Sequence, residues 1–452
     1  MEGLAVNVIK FSEVISDEDF RLESEYFNSE NVKFKSVKGS VIESFSQYGT
    51  SNELNEENKG YPVLRLNEFD SFFISKPSKY CDLLSNEVFE SLKLKKDDVL
   101  VCRTNGNPKY VGKAAIVGKD YDYAFASYVY RVRPDRNIIN SATLVAFMNS
   151  KYGRNEIERY AMVGNQANFS PAKFRQISIP ILGKKINDAI EKIIYQSFEY
   201  LEKSKYLYIQ AEEQLLNELG LKNWKPQTSL FTIKKLNDFV GSGRLDAEFY
   251  QKKYDEIEHV ITTYKGGHDS ISKHFALNEE VCDYKEDKYK YIEIGDIKVF
   301  DGSYTYNTIE TSNLPDNAKR VLHKDDILIS KVRPNRGAIT IIDIDTNDLI
   351  GSGAFTVLHE KTNYKKEIIF LLFRTAIYKD WLLKWNVGTS YPVIKDEDIL
   401  NLPIPLLPDS IQCKIADLLQ QSIDSKKKSQ DLINDAVNLV EKEIEKNVGN
   451  KK

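Results

Sequence analysis

The stretch RTNGNPKYVGKAAIV (residues 103–117) gathers the side chains of this sequence best suited to chemistry on a base. In Asn107-Pro108-Lys109-Tyr110 an amide, a carbonyl and an aromatic ring follow one another. An Asn side chain and a Pro carbonyl can hold an exocyclic amino group while a ring stacks on the flipped base. The same loop can instead bind without catalysis, because Arg103, Asn105, Asn107, Lys109, Tyr110 and Lys113 crowd one Gly/Pro-rich turn. Arginine can grip guanine O6 and N7 with two bonds, asparagine can pair with adenine, and lysine holds phosphate. The plain alternative is a charged surface turn.

The four residues stand one substitution from the Asn-Pro-Pro-Tyr motif of amino-methyltransferases. That chemistry also needs a cofactor pocket, normally a Gly-rich turn that leaves a strand and opens a helix. The Gly-x-Gly triplets at 241–243 and 351–353 lack such flanks. A self-contained adenine methyltransferase using Asn107-Pro108-Lys109-Tyr110 is therefore the alternative, and a protein-binding scaffold the third possibility.

The elements that must position the loop are written twice. RLESEYF (residues 21–27) recurs as RLDAEFY (244–250), a shift of 223 residues. YPVLRLNEFD (61–70) answers YKYIEIGDIK (289–298), and KKDDVLVCRTNGN (95–107) answers HKDDILISKVRPN (323–335), both shifted by 228. VGNQANF (163–169) faces VGTSYPV (387–393), and ISIPIL (177–182) faces LNLPIPLL (400–407). A repeat of about 225 residues is a doubled domain, too long for a solenoid unit.

In the second copy the loop reads VRPNRG, with no Asn-Pro-aromatic run, while Lys331, Arg333, Asn335 and Arg336 keep its basic and amide character. A second candidate surface is Asn165, Gln166 and Asn168 against Thr389, Ser390 and Tyr391, where small and amide residues sit beside a ring. A turn capping the preceding helix is the competing explanation there. Arg65 and Asn67 against Glu293 and Asp296 read as structural, and SDEDF (16–20) as solvated surface.

YPVLRL, DDVLVC, KAAIVG and SYVYRV, and their counterparts YKYIEI, DDILIS, AITIID and AFTVLH, predict short strands between Gly, Asn and Pro turns. One helix is predicted in each copy before the Ile-Pro segment, over 142–161 and 365–385. Beyond that segment apolar residues step by three and four. The first such helix carries Ile186, Ile190, Ile193, Leu201, Tyr208, Ala211, Leu215 and Leu219. The second carries Ile411, Ile415, Leu418 and Ile423, then Leu432, Ala436, Val440 and Ile444, with a polar middle KKKSQD (426–431) expected to be solvated. If the two seams bury against each other, connectivity makes the helices antiparallel. The expected fold is α+β: two β-rich domains in tandem with two long antiparallel helices between them, pseudo-twofold symmetric. Expected boundaries are a first domain at 1–182, a first helix at 183–221, a linker at 222–230, a second domain at 231–407 and a second helix at 408–447.

Composition sets the class. The chain has 452 residues, 41% apolar and 29% charged, with a net charge of −4. This is a globular balance, so any DNA contact must come from local basic clusters. Four scattered cysteines and five histidines show no ligand spacing and suit a reducing compartment. No signal peptide or membrane span is expected, and the location expected is cytoplasmic.

Two β-rich domains, each closed by an Ile-Pro or Leu-Pro-Ile-Pro segment and followed by a long helix, resemble the specificity subunit of type I restriction–modification systems. The duplication, LPIPLLPDSIQCKIADLL (402–419) and the DDxLxxR/K loop of each half carry the resemblance. It implies that each β-rich half is a target recognition domain reading part of a split, asymmetric DNA site. It implies no catalysis by this chain. The helices would space the domains and carry two copies of a modification subunit that methylates adenine. S-adenosylmethionine, ATP and Mg would then reside on partner subunits, a restriction/translocase subunit among them. A first helix of 183–219 would be about 55 Å long, setting the domains roughly one to one and a half DNA turns apart at about 34 Å per turn.

Overall fold

The computed structural model describes Phe11 and residues 34–70, 72–161, 167–227, 229, 231–388 and 390–449. The first copy of the RLESEYF repeat and SDEDF lie outside them. Packing divides the chain into two compact units: residues up to 203 together with those from 424 onward, and residues 204–423. The long helices are thus shared out, part of each belonging to each unit.

In the first unit, β1 (Glu43–Tyr48), β2 (Val99–Cys102), β4 (Ala114–Ile116) and β5 (Val129–Pro134) form an antiparallel sheet in the order β1-β5-β2-β4. Between β2 and β4 lies the short β3 (Thr104–Asn105). Strand β2 is buried on both faces. Val99 and Val101 join the core under the helices, while Leu100 joins a second core with Val63 and Phe125. This is why the sequence shows a continuous apolar run rather than alternation. Tyr61–Leu64 pairs parallel with Ala124–Phe125 in a smaller sheet, and Ser178–Pro180 of the Ile-Pro segment pairs antiparallel with Ser36–Lys38. Helices α1 (Ser141–Asn149) and α2 (Lys151–Tyr160) precede β6 (Ala167–Asn168), and α3 (Lys184–Glu218) follows.

The second unit repeats this plan. Its sheet is β7 (Phe275–Leu277), β10 (Phe355–Glu360), β8 (Ile327–Ser330) and β9 (Ile339–Ile341), in the order β7-β10-β8-β9. Lys288–Ile292 pairs parallel with Leu349–Ser352, and Pro403–Pro405 antiparallel with His268–Ser270. The Asp-Asp pair before β2 and β8 is a framework device. Asp97 and Asp325 take positive φ, 69° and 76°. Asp98 and Asp326 then turn buried carboxylates back onto the N–H groups of Lys95 and His323, each at 2.9 Å.

The helix expected over 142–161 is two helices. Ser150 ends α1 and caps α2, its side chain accepting from Gly153 N–H. The segment expected over 365–385 breaks in the same way. Thr375 separates α4 (Lys366–Arg374) from α5 (Ala376–Trp381) and accepts from Tyr378 N–H, and a 3-10 turn (Leu382–Trp385) follows. A hydroxyl that satisfies a free N–H at a new N-terminus overrides the apolar period read across it.

The final helix, α6 (Asp409–Gly449), runs antiparallel to α3 in each unit. In the first unit Ile190, Ile194, Phe198 and Leu201 share a core with Ile433, Ala436, Val440 and Ile444, with Ile186 and Ile193 at its margin. Leu432 is buried too. In the second, Ala211, Leu215 and Leu219 share a core with Ile415 and Leu419, flanked by Tyr208, Ile411 and Leu418. Ile423, expected in the seam, is instead 38% exposed, and Ser422 and Ser425 are the buried residues beside it. Ser429 within KKKSQD is likewise buried rather than solvated, and its hydroxyl lies 2.9 Å from that of Ser197. In the second unit Ser204 meets Ser422 at 3.1 Å. Small hydroxyl pairs let the helices approach while leaving no polar group unmet. No helix among the described residues is long and apolar enough to cross a membrane.

Candidate nucleic-acid interface

In each unit the basic loop leaves the buried central strand and is held beside the segment that follows the helices. In the first unit Arg103 N–H donates to Tyr128 O at 2.8 Å, and Phe169 N–H donates to Arg103 O at 2.8 Å. Strand β3 then pairs antiparallel with β6, Thr104 opposite Asn168. In the second unit Lys331 N–H donates to Ala354 O at 2.9 Å, Ile394 N–H donates to Lys331 O at 3.1 Å, and Val332 bridges antiparallel to Val393. The two candidate surfaces of each half, about sixty residues apart in sequence, are therefore one surface. Asn168, Ser390 and Tyr391 belong to it, while Asn165, Gln166 and Thr389 lie outside the described residues.

The first loop is internally braced. Asn105 Oδ1 accepts Asn107 N–H at 2.8 Å, and Asn107 Oδ1 accepts Lys109 N–H at 3.1 Å as the cap of a 3-10 turn, Pro108–Tyr110. Each of those carbonyl oxygens takes one backbone N–H and keeps a second lone pair, so both side chains are held in place by the turn. Gly112 (φ 73°) returns the chain toward β4, where a Cβ would strike Ile157 at 2.4 Å. Arg154 of α2 donates to Val111 O at 2.9 Å and Lys109 O at 3.3 Å from beneath. Burial lowers the Arg154 pKa and pushes the Cys102 thiol up to about 12, so Cys102 is inert packing. Lys109 and Tyr110 are exposed, Lys113 lies 5.5 Å from the Tyr110 ring, and Arg103 rests on Tyr48 at 5.2 Å with its Nε buried and unpaired.

The second loop is built differently. Arg333 takes φ 50°, donates its N–H to Pro392 O at 2.7 Å and lies 5.5 Å from the Tyr391 ring. Pro334–Arg336 forms a 3-10 turn closed by Gly337 (φ 74°), and Asn335 and Arg336 are exposed. Among the expected contact residues, Lys331 has its ammonium paired with Asp396 at 3.1 Å. Asp396 and the bracing Arg154 carry no sequence signal, because only folding brings them to the loops. The Gly-x-Gly triplets do not cradle phosphate: Gly241 and Gly243 close the short helix Leu236–Ser242, and Gly351 lies inside a strand.

The family described as Type I restriction modification DNA specificity domain matches residues 269–436. That stretch of the chain is similar to a type I specificity domain. The duplicated framework extends the same plan to the first half. The HindI specificity subunit of Haemophilus influenzae is 26% identical over 161 residues, covering 33% of this chain and 32% of that protein. The EcoKI specificity subunit of Escherichia coli (strain K12) is 31% identical over 96 residues, covering 21% of this chain and 20% of that protein. The chain thus spans about a fifth to a third of the length of these curated relatives, and it is related to type I specificity subunits. The crystal structure of the type I system S subunit from M. genitalium aligns over 92% of this chain and 97% of its own, at 14% identity and a TM-score of 0.46.

Proposed function

We propose that this chain is the sequence-reading subunit of a type I restriction–modification complex, with each specificity unit reading one half of a split, asymmetric DNA site. One observation carries the reading. On a four-stranded sheet of the same order in both units, each unit sets a basic loop against the segment following its helices, and the side chains displayed there differ between units. A shared framework with unequal donors is what two different half-sites require. The chain has no catalysis of its own in this reading. S-adenosylmethionine, ATP and Mg belong to partners: two copies of a modification subunit and, where present, a restriction/translocase subunit. The second copy's VRPNRG, which has no Asn-Pro-aromatic run at the equivalent position, weighs against the methyltransferase alternative.

The test is methylome sequencing of a host expressing this chain with its modification subunit, beside incubation of the purified chain alone with DNA and labelled S-adenosylmethionine. Expected are new methylation at one bipartite sequence in the host and no transfer by the chain alone. Transfer by the chain alone would replace this reading with the enzyme. Duplex DNA left unbound, with and without the partner, would leave the protein scaffold.

A further inference from the structure

We propose that a cleft beside the second unit's loop receives one unstacked nucleobase of the DNA, an inference that rests on the recognition role proposed above. The cleft measures about 480 Å³, within the roughly 300–1,000 Å³ of small-ligand pockets. Ile294, Ile297, Val299, Val332 and Ala338 give it apolar walls, while Arg333, Arg336 and Tyr391 complete its lining. A side chain that reads a base edge in the groove must project outward, and a hollow cannot do so. A hollow can take a flat group that leaves the duplex. Apolar walls, an aromatic ring 46% exposed and cationic guanidinium groups suit a planar base with a phosphate beside it. The Arg336 guanidinium is exposed and makes no side-chain hydrogen bond or ion pair among the described residues.

The cleft's lining differs from the equivalent positions of the first unit. At the constant shift of 228 residues, Gly295 and Val332 correspond to Asn67 and Thr104, so polar side chains stand where the second unit has none. Gly295 also supplies a probe. A Cβ built there meets no heavy atom nearer than Glu293 Oε1 at 3.6 Å, so a larger side chain can enter without pushing on the backbone.

The experiment uses the full chain with its modification subunit on the site found by methylome sequencing, with single mismatches scanned through both half-sites. In the wild type, one mismatch in the second half-site should tighten binding by about 10-fold, because the pair no longer has to be opened before the base leaves the stack. Gly295→Trp, or Gly295→Asn should the larger side chain prevent folding, is expected to abolish that gain and leave the first half-site's profile unchanged. If no mismatch tightens binding, or if the Gly295 variants scan as the wild type does, the cleft holds no base. If the wild-type chain directs no site-specific methylation at all, the recognition role itself fails, and the cleft assignment falls with it.

Discussion

Asp98 and Asp326 occupy the same turn in the two units and meet different surroundings. Both close the turn through a backbone N–H, but Asp98 also bonds Arg131 at 3.0 Å and Arg133 at 2.6 Å, and Arg131 is 2% exposed. Asp98→Asn leaves that buried guanidinium without its counter-charge, at an expected cost of about 3–5 kcal/mol in chemical denaturation. Asp326 accepts from the Asn278 amide and the His323 N–H, with no arginine bonded to it among the described residues, and burial holds its carboxyl above the usual range. A raised native pKa favours the protonated fold, so this contribution is present at low pH and lost as pH rises through the native value. Asp326→Asn should cost less than about 1 kcal/mol at neutral pH, since the amide oxygen can still accept, and should remove that pH dependence. The Asp-Asp pair was legible as a repeated motif. That one copy holds an arginine was not, because Arg131 is distant in sequence and meets Asp98 only through strand pairing.

The helices show where periodicity informs and where it misleads. The apolar steps located α3 and α6 to within a few residues, and the expected antiparallel packing is found in each unit. They could not show that serines 197 and 429 face each other, since a serine looks the same in sequence whether buried or solvated. Ser197→Leu should force the helices apart in the first unit at about 1–3 kcal/mol by thermal melting, an overpacking cost. The paired breaks at Ser150 and Thr375 are also local. Thr375→Ala should cost about 1 kcal/mol through the uncapped N–H groups of α5. At both sites the hydroxyl sits inside an otherwise helical pattern, so the stop becomes visible only once the cap is seen to form.

For the molecule as a complex on DNA, two outcomes follow from the proposed function. Affinity should fall steeply between about 50 and 200 mM salt, by about 10³-fold for six phosphate contacts and more for a larger number, in equilibrium binding at several salt concentrations. A flat response would remove DNA as the ligand. Inserting one turn into both α3 and α6 lengthens each by about 5.4 Å, and the unread gap in the methylated sequence should widen by about one or two base pairs. An unchanged gap would mean the helices do not set the spacing.

Sequence alone determined the doubling, the strand runs, the long apolar seams and the basic character of both loops. Each of these is carried by residues close together in the chain or repeated at a constant shift. Tertiary structure alone decided that each loop joins a segment some sixty residues away, that Asn105 and Asn107 brace their own turn through their side-chain oxygens, and that Lys331 is paired with Asp396. It also decided that an apolar hollow opens beside Arg333 in the second unit. Hydrogen-bond partners and cavities depend on distances between remote parts of the chain, and no residue's type or spacing records them.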